Sequence, residues 1–238
     1  MRWMALSAGL LLLSTPLFAA KIRGHYSLVG TKPESHSVQK VIYEEIINFG
    51  CLHCNNLRKA SEELRKQWGD SVEFVDIPIT FRGQDDSPLR LYYVAQSVGK
   101  GDLVRTALFD ARFVHVVDVF DAGICNYLAR SLGLGLVYSE EKNKPWVNEA
   151  IQAGIQKSNV YGVTGTPTVV LMGSLKMDIG RYGSMADFTD KVPETFEDLL
   201  TKWKPATSNN RYRGLQAYFG WLVEEGEVKD SPMARMKP

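Results

Sequence analysis

Two cysteines separated by two residues, Cys51 and Cys54, are the side chains whose types and spacing most directly suggest chemistry. They follow an apolar run that ends at Phe49, and a helical pattern begins after them. At a helix N-terminus the helix dipole and free backbone N–H groups stabilise a thiolate, which lowers a cysteine pKa to roughly 3.5–7.5 from about 8.5. Such a thiolate is a good leaving group, so the spacing predicts a reversible, oxidising disulfide.

The same pair of cysteines is also compatible with a structural role. His53 lies between the two cysteines and adds a donor or a positive charge beside Cys51. A dicysteine can also be a structural disulfide or half of a zinc site, but zinc needs a second pair of ligands. The remaining cysteine is Cys125, and the other histidines are scattered without ligand spacing. We therefore predict redox chemistry, no metal, and a buried helix cysteine at position 125.

The elements that position the pair are predicted from periodicity. Residues 40–49 are rich in β-branched and aromatic side chains and predict a buried strand, and residues 72–77 alternate as a half-buried strand does. Between them an apolar stripe at helical spacing runs to Gly69. A strand, a helix and a second strand form a βαβ unit, with the dicysteine at the edge where open α/β sheets place their sites.

Two adjacent glutamates, Glu44 and Glu45, interrupt the first of these strands. Charged side chains inside an apolar run are costly unless the position is partly solvated or has a function. Both interpretations remain open from the residues alone: a solvated strand end or a functional acid.

The rest of the body alternates again between helix and strand. Residues 84–157 carry apolar side chains at helical spacing and predict a helical block, and residues 163–172 return to strand composition. Pro167 precedes the apolar core of that strand, which indicates a special turn, with a cis bond as one form of it. Residues 175–179 are expected to pair back, and residues 186–203 to form a last helix with Pro193 near its first turn.

The dicysteine segment 49–54, the helical block and the segment 162–167 together resemble the bacterial DsbA family of thiol-disulfide oxidoreductases. The resemblance covers about residues 38–204. It implies an α/β chain with a thioredoxin fold and an inserted helical domain. It also implies a nucleophilic Cys51, a resolving Cys54 and a tuning residue at His53.

The same resemblance assigns roles further along the chain. Pro167 would be a cis-proline that lies against the disulfide and helps to bind substrate backbone, with Thr166 before it modulating reactivity. Glu45, six residues before Cys51, would be a buried acid beneath the disulfide that helps proton movement. Leu52 stands where the family commonly has proline. Threonine before the cis-proline also occurs in isomerase relatives, so an isomerase or reductase is the nearest alternative.

Composition limits the partners. The chain has 238 residues, 45% of them hydrophobic, which is enough to bury a core without a disulfide framework. Its 28 Lys and Arg residues against 27 Asp and Glu give a formal charge of +1, which favours neither nucleic acid nor an anionic membrane as partner.

The N-terminus predicts export. A basic start, an apolar run broken by Pro16 and the small residues Ala19 and Ala20 are typical of a secretory signal peptide over residues 1–20. Phe18 fits poorly at a cleavage site, so an uncleaved N-terminal anchor is the alternative. Either form places the body, residues 21–206, in the periplasm.

Residues 207–238 form a separate tail in this interpretation. An amphipathic helix is predicted to end at Gly226, and the segment resembles a fragment of the core-binding domain of tyrosine recombinases. No catalytic recombinase domain follows, so no recombinase residue or DNA-binding role is carried over.

The functional prediction is a monomeric periplasmic oxidase that donates the Cys51–Cys54 disulfide to reduced, newly exported proteins. By resemblance, a membrane quinone-linked protein of the DsbB type would reoxidise it, and no metal or organic cofactor would be needed. The competing class is a non-catalytic thioredoxin-like chaperone or adaptor.

Overall fold

A central sheet organises the protein. The computed structural model describes residues 22–29, 40–202, 218–219, 221–226 and 228–231. The strands of this part of the chain are β1 (Tyr26–Leu28), β2 (Val41–Ile47), β3 (Val72–Pro78), β4 (Thr168–Leu171) and β5 (Leu175–Met177). Their order across the sheet is β1-β5-β4-β2-β3. β2 and β3 are parallel, and every other neighbouring pair is antiparallel.

The strands predicted from apolar runs are confirmed. β2 lies within the predicted 40–49 run and is buried along almost its whole length, because strands pair with it on both edges and helices cover both faces. β3 extends the predicted 72–77 strand by one residue. β4 and β5 form the predicted hairpin, joined at Met172 and Gly173, which both have positive φ.

The strand β1 was missed. No strand was predicted before residue 40, yet residues 26–28 pair with β5 at the edge of the sheet. Just before this strand Ile22 is buried in the core, and the Arg23 backbone N–H donates to Asp198 at 2.7 Å. Since most β1 side chains face solvent, no apolar alternation marks the strand in the sequence.

Seven α-helices surround the sheet in the described residues. The first helix, α1 (Leu52–Trp68), connects β2 to β3, as the βαβ pattern predicted. Five helices then lie between β3 and β4, where the helical block was expected. They are α2 (Ser87–Ser97), α3 (Gly101–Phe113), α4 (Ala122–Ser131), α5 (Gly135–Glu141) and α6 (Pro145–Val160).

The last helix of the sheet layer, α7 (Met185–Lys202), contains a proline further from its N-terminus than expected. Pro193 lies inside the helix rather than near its first turn, so that expectation was wrong. An interior proline removes one backbone hydrogen bond. The helix continues because Phe188, Val192 and Phe196 on its inner face are fully buried, and tertiary packing outweighs local propensity.

Two large core clusters divide the interior. One joins the inserted helices to the active-site end of the sheet and includes Ile47, Phe49 and Cys54. The other packs α1 and α7 on the sheet and includes Tyr43 and Phe196. This arrangement, a thioredoxin fold with inserted helices, is the predicted fold class.

The two chain ends are described only in part. The predicted signal peptide at residues 1–20 and most of the predicted tail at residues 207–238 lie outside the described residues. Within the tail, residues 218–219 and 221–224 are helical, and Gly226 has a positive φ of 75°. In the described part of the chain, no helix combines the length and apolar character needed to cross a membrane.

Candidate active site

Cys51 is the N-cap residue of α1. Its backbone is extended, with φ −90° and ψ 116°, and its Sγ accepts a hydrogen bond from the Cys54 backbone N–H at 3.3 Å. An N-cap side chain satisfies one of the free N–H groups of the first turn. The partial positive charge at the N-terminus of the helix therefore stabilises a thiolate in this position.

This environment makes Cys51 acidic. The pKa of its thiol is lowered from about 9 to about 5, chiefly by a hydrogen bond from the Cys54 side chain. Partial burial opposes the shift, while the Thr166 side chain and the backbone N–H groups of His53 and Cys54 add to it. The half-buried Cys51 is therefore a thiolate at neutral pH in the reduced protein.

The environment of Cys54 makes its thiol less acidic, in contrast to that of Cys51. It is fully buried in the core cluster of the inserted helices. Burial is the main cause that raises the pKa of its thiol far above the ordinary value, and the hydrogen bond to Cys51 acts in the same direction. Cys54 therefore stays protonated and out of reach of a large substrate, which leaves Cys51 as the accessible sulfur.

The loop before β4 approaches Cys51. The peptide bond between Thr166 and Pro167 is cis, as the resemblance implied. The Thr166 carbonyl oxygen lies 3.1 Å from Cys51 Sγ and accepts the hydrogen bond of the protonated thiol. The fold thus brings together two segments that are 115 residues apart in sequence.

An open groove lies beside His53 and the cis-proline loop. Its volume is about 320 Å³, and His53, Thr166 and Pro167 line it together with Ile179, Gly180 and residues 182–185. A second groove of about 480 Å³ shares Pro167, Ile179 and Gly180 with the first and extends towards β1 and β5. The exposed imidazole of His53 faces the first groove, and within the described residues no hydrogen bond joins it to either cysteine.

Glu45 is fully buried among charged partners. Its carboxylate oxygens lie 3.4 Å from Arg65 on α1 and 3.2 Å from Arg105 on α3. Both arginines also pair with Asp76, which is opposite Glu45 on β3. Burial raises the pKa of Glu45, and the charge of Arg105 opposes that shift. No hydrogen bond connects Glu45 with Cys54 in the described part of the chain.

Glu44 points to the opposite face of the sheet. Its carboxylate accepts a hydrogen bond from the Tyr161 hydroxyl at 2.6 Å and pairs with the Lys157 ammonium. The Lys176 ammonium donates to the carbonyl oxygens of Tyr161 and Gly162 at 3.1 Å each. Neither glutamate is a solvated strand end, because both are buried and paired.

Sequence reasoning missed Asn48. This buried side chain bridges two segments. Its amide nitrogen donates to the Ile79 carbonyl oxygen in the loop after β3, and its oxygen accepts from the Gly50 backbone N–H in the turn before Cys51. A Cβ at Gly50 would lie 2.9 Å from the Phe120 ring, so any other residue there would have to displace that ring. The available signal was an amide residue placed between apolar neighbours directly before the dicysteine.

Cys125 is where the sequence placed it. It is fully buried in α4, and its thiol donates to the Val119 carbonyl oxygen at 3.2 Å. Burial raises the pKa of this thiol to about 12, which makes it unreactive. In the described residues, no group of three or more His, Cys, Asp or Glu side chains is placed to hold a metal ion.

A pair of neighbouring thiols with such unequal acidity can exchange a disulfide with the thiols of another molecule. On this sheet with its inserted helices, that chemistry makes the protein a thiol-disulfide oxidoreductase of thioredoxin fold. Comparison with known proteins then specifies the family.

The model of the DSBA-like thioredoxin domain family matches residues 44–189. The thiol:disulfide interchange protein DsbA of Burkholderia cepacia is 24% identical over 204 residues, which cover 84% of this chain and 92% of that protein. DsbA of Pseudomonas syringae pv. tomato is 24% identical over 171 residues, covering 70% and 77%. The crystal structure of Pseudomonas aeruginosa DsbA has a TM-score of 0.63 at 20% identity, covering 74% of this chain and 92% of that one.

The chain belongs to the DSBA-like thioredoxin domain family. The family match ends before the tail, and the relatives named above give no support to the recombinase-like resemblance of residues 207–238.

Proposed function

We propose that this protein is a periplasmic oxidase that donates the Cys51–Cys54 disulfide to reduced proteins after their export. The observation that carries the proposal is the pairing of an accessible thiol of pKa about 5 with a buried thiol of strongly raised pKa. A stable Cys51 thiolate favours the reduced form of the enzyme, and a favoured reduced form makes its disulfide an oxidant.

The reaction proceeds in two exchanges. A substrate thiolate attacks Cys51 Sγ, the Cys51–Cys54 bond breaks, and its electron pair passes to Cys54, which takes up a proton. The product is a mixed disulfide between the substrate and Cys51. The second substrate thiolate then attacks the substrate sulfur of that bond and expels Cys51 as a thiolate. Two electrons have moved from the substrate to the enzyme, and the substrate holds a new disulfide.

Substrate binding is assigned to the groove beside His53 and the cis-proline loop. Thr166 and Pro167 border it next to Cys51, so a peptide lying there would present its own sulfur to Cys51. His53 lines the same groove, and its backbone N–H contributes to the acidity of Cys51. We assign His53 to tuning and Thr166 and Pro167 to substrate binding.

Glu45 is proposed to assist proton movement to Cys54. Its burial, which raises its pKa, supports this role, and the absence of a direct hydrogen bond means that water would have to relay the proton. Glu45→Gln removes the titratable carboxyl while keeping its shape. We expect a slower peptide oxidation with an altered pH profile, and an unchanged profile would contradict the role.

Location and partners follow from the same proposal. Residues 1–20 would direct export, either cleaved or retained as an anchor, and the protein would act as a monomer. A membrane quinone-linked protein of the DsbB type would reoxidise Cys51 and Cys54. The redox-active disulfide would need no metal or organic cofactor, and nucleic acid would not be a partner.

The direct test is the oxidation of a synthetic peptide with two thiols by the oxidised protein. We expect one peptide disulfide to form for each enzyme disulfide lost, counted by free-thiol titration. Cys51→Ser and Cys54→Ser should abolish the transfer. The matched control Cys125→Ala should retain it, since the Cys125 thiol is buried, has a raised pKa and donates to the Val119 carbonyl oxygen. A wild-type protein that binds the peptide but leaves it reduced would favour the adaptor alternative.

A further inference from the structure

The turn that leads into the dicysteine is held by one buried amide. Asn48 has only 2% of its surface exposed. Its Oδ1 accepts a hydrogen bond from the Gly50 backbone N–H at 2.9 Å. Its Nδ2 donates to the Ile79 carbonyl oxygen at 2.9 Å and to Gln84 Oε1 at 2.7 Å. A buried amide with three hydrogen bonds of good length has a fixed orientation.

The main chain of Asn48 contacts both cysteines. Its carbonyl oxygen accepts from the Cys51 backbone N–H at 3.0 Å, which closes the turn over residues 48–51. A backbone hydrogen bond from Asn48 also lowers the pKa of the Cys54 thiol, although the larger effect of burial raises it. Any displacement of this turn would therefore move the sulfur of Cys51 relative to the first turn of α1.

The other end of the contact is an ordered loop. Gln84 Oε1 accepts from the Phe81 backbone N–H at 2.8 Å as well as from Asn48, so one side chain closes the loop over residues 81–84 and binds the turn. The Ile79 backbone N–H donates to the Ile47 carbonyl oxygen at 2.8 Å. The active-site turn is thus braced against the segment that leads into the inserted helices.

We propose that the Asn48 side chain is a positioning residue, which holds the turn of residues 48–51 and thereby places Cys51 Sγ at the N-terminus of α1. It touches neither the substrate nor the reacting sulfurs through its side chain, so its effect passes through Gly50 and the backbone of Cys51. This inference rests on the proposed function, because it concerns the reactivity of the same disulfide.

Asn48→Ala tests the proposal, since it deletes all three side-chain hydrogen bonds. We expect the pH midpoint of Cys51 thiolate absorbance to rise by roughly half a unit or more. A less stable Cys51 thiolate makes the reduced enzyme less favoured. The equilibrium constant for oxidation of glutathione by the enzyme disulfide should therefore fall by about threefold or more. Asn48→Ser keeps an acceptor for the Gly50 N–H but does not reach Gln84, so it should shift both quantities less, in the same direction.

A matched control separates positioning from stability. Thr195→Val removes one hydrogen bond of a fully buried hydroxyl in α7, to the Arg23 carbonyl oxygen, and should lower the unfolding midpoint without moving the Cys51 titration. An Asn48→Ala protein that is less stable but titrates like the wild type would overturn the proposal. If Asn48→Ala does not fold, a wild-type titration in Asn48→Ser has the same meaning. A reducing potential in the wild type would refute only the oxidase function, since Asn48 is judged by differences from wild type.

Discussion

At the scale of single residues, position alone gives two identical side chains different chemistry. Cys51 is a half-buried helix cap with donors directed at its sulfur, and Cys54 is one turn further along in an apolar core. The first environment stabilises a thiolate, and the second excludes one. The direction of attack in disulfide exchange follows from this difference, because only Cys51 is both accessible and a good leaving group.

The acidity of Cys51 predicts a pH dependence of stability in the reduced protein. Its folded pKa of about 5 lies below the value of about 8.5 for an unfolded cysteine. The thiolate therefore contributes stability that is fully present above the unfolded pKa and is lost as pH falls through the folded pKa. The unfolding midpoint of the reduced wild type, relative to that of reduced Cys51→Ser, should rise between about pH 5 and pH 8.5. Parallel profiles for the two proteins would contradict the assignment.

At the scale of elements, β2 joins the parts of the protein around the site. Because neighbouring side chains of a strand point to opposite faces, Glu45 meets Arg65 of α1 and Arg105 of α3, whereas Glu44 meets Lys157 and Tyr161 at the end of α6. Tyr161 directly precedes the loop that carries Thr166 and Pro167. The two acids thus connect the sheet to the inserted helices on both sides.

Tyr161→Phe should measure the contribution of this connection to stability. The change removes one hydroxyl and leaves a lone pair of the buried Glu44 carboxylate without its partner, which typically costs about 1–3 kcal/mol. The matched control is Tyr127→Phe, because the Tyr127 side chain in α4 is 61% exposed and should change the free energy of unfolding little. Urea denaturation of both variants gives the comparison, and equal stabilities would show that the Glu44 contact is not stabilising.

At the scale of the whole molecule, local patterns predicted more than distant contacts did. β2, α1, β3 and the special turn at Pro167 follow from short stretches of sequence and are present in the structure. The partners of the glutamates were not predictable, because Arg105 lies 60 residues from Glu45 and Tyr161 lies 117 residues from Glu44. Edge strand β1 and the Asn48 contacts were missed for the same reason, since pairing across the fold determines them.

The proposed function depends on how strongly the fold favours the dithiol form of Cys51 and Cys54 over their disulfide. The most direct measurement is therefore the reduction potential of Cys51–Cys54, determined by equilibration with reduced and oxidised glutathione. We predict a value near the oxidising end of the thioredoxin superfamily, about −120 mV, the value of DsbA. A potential near that of thioredoxin, about −270 mV, would contradict the oxidase function and assign the protein to reduction instead.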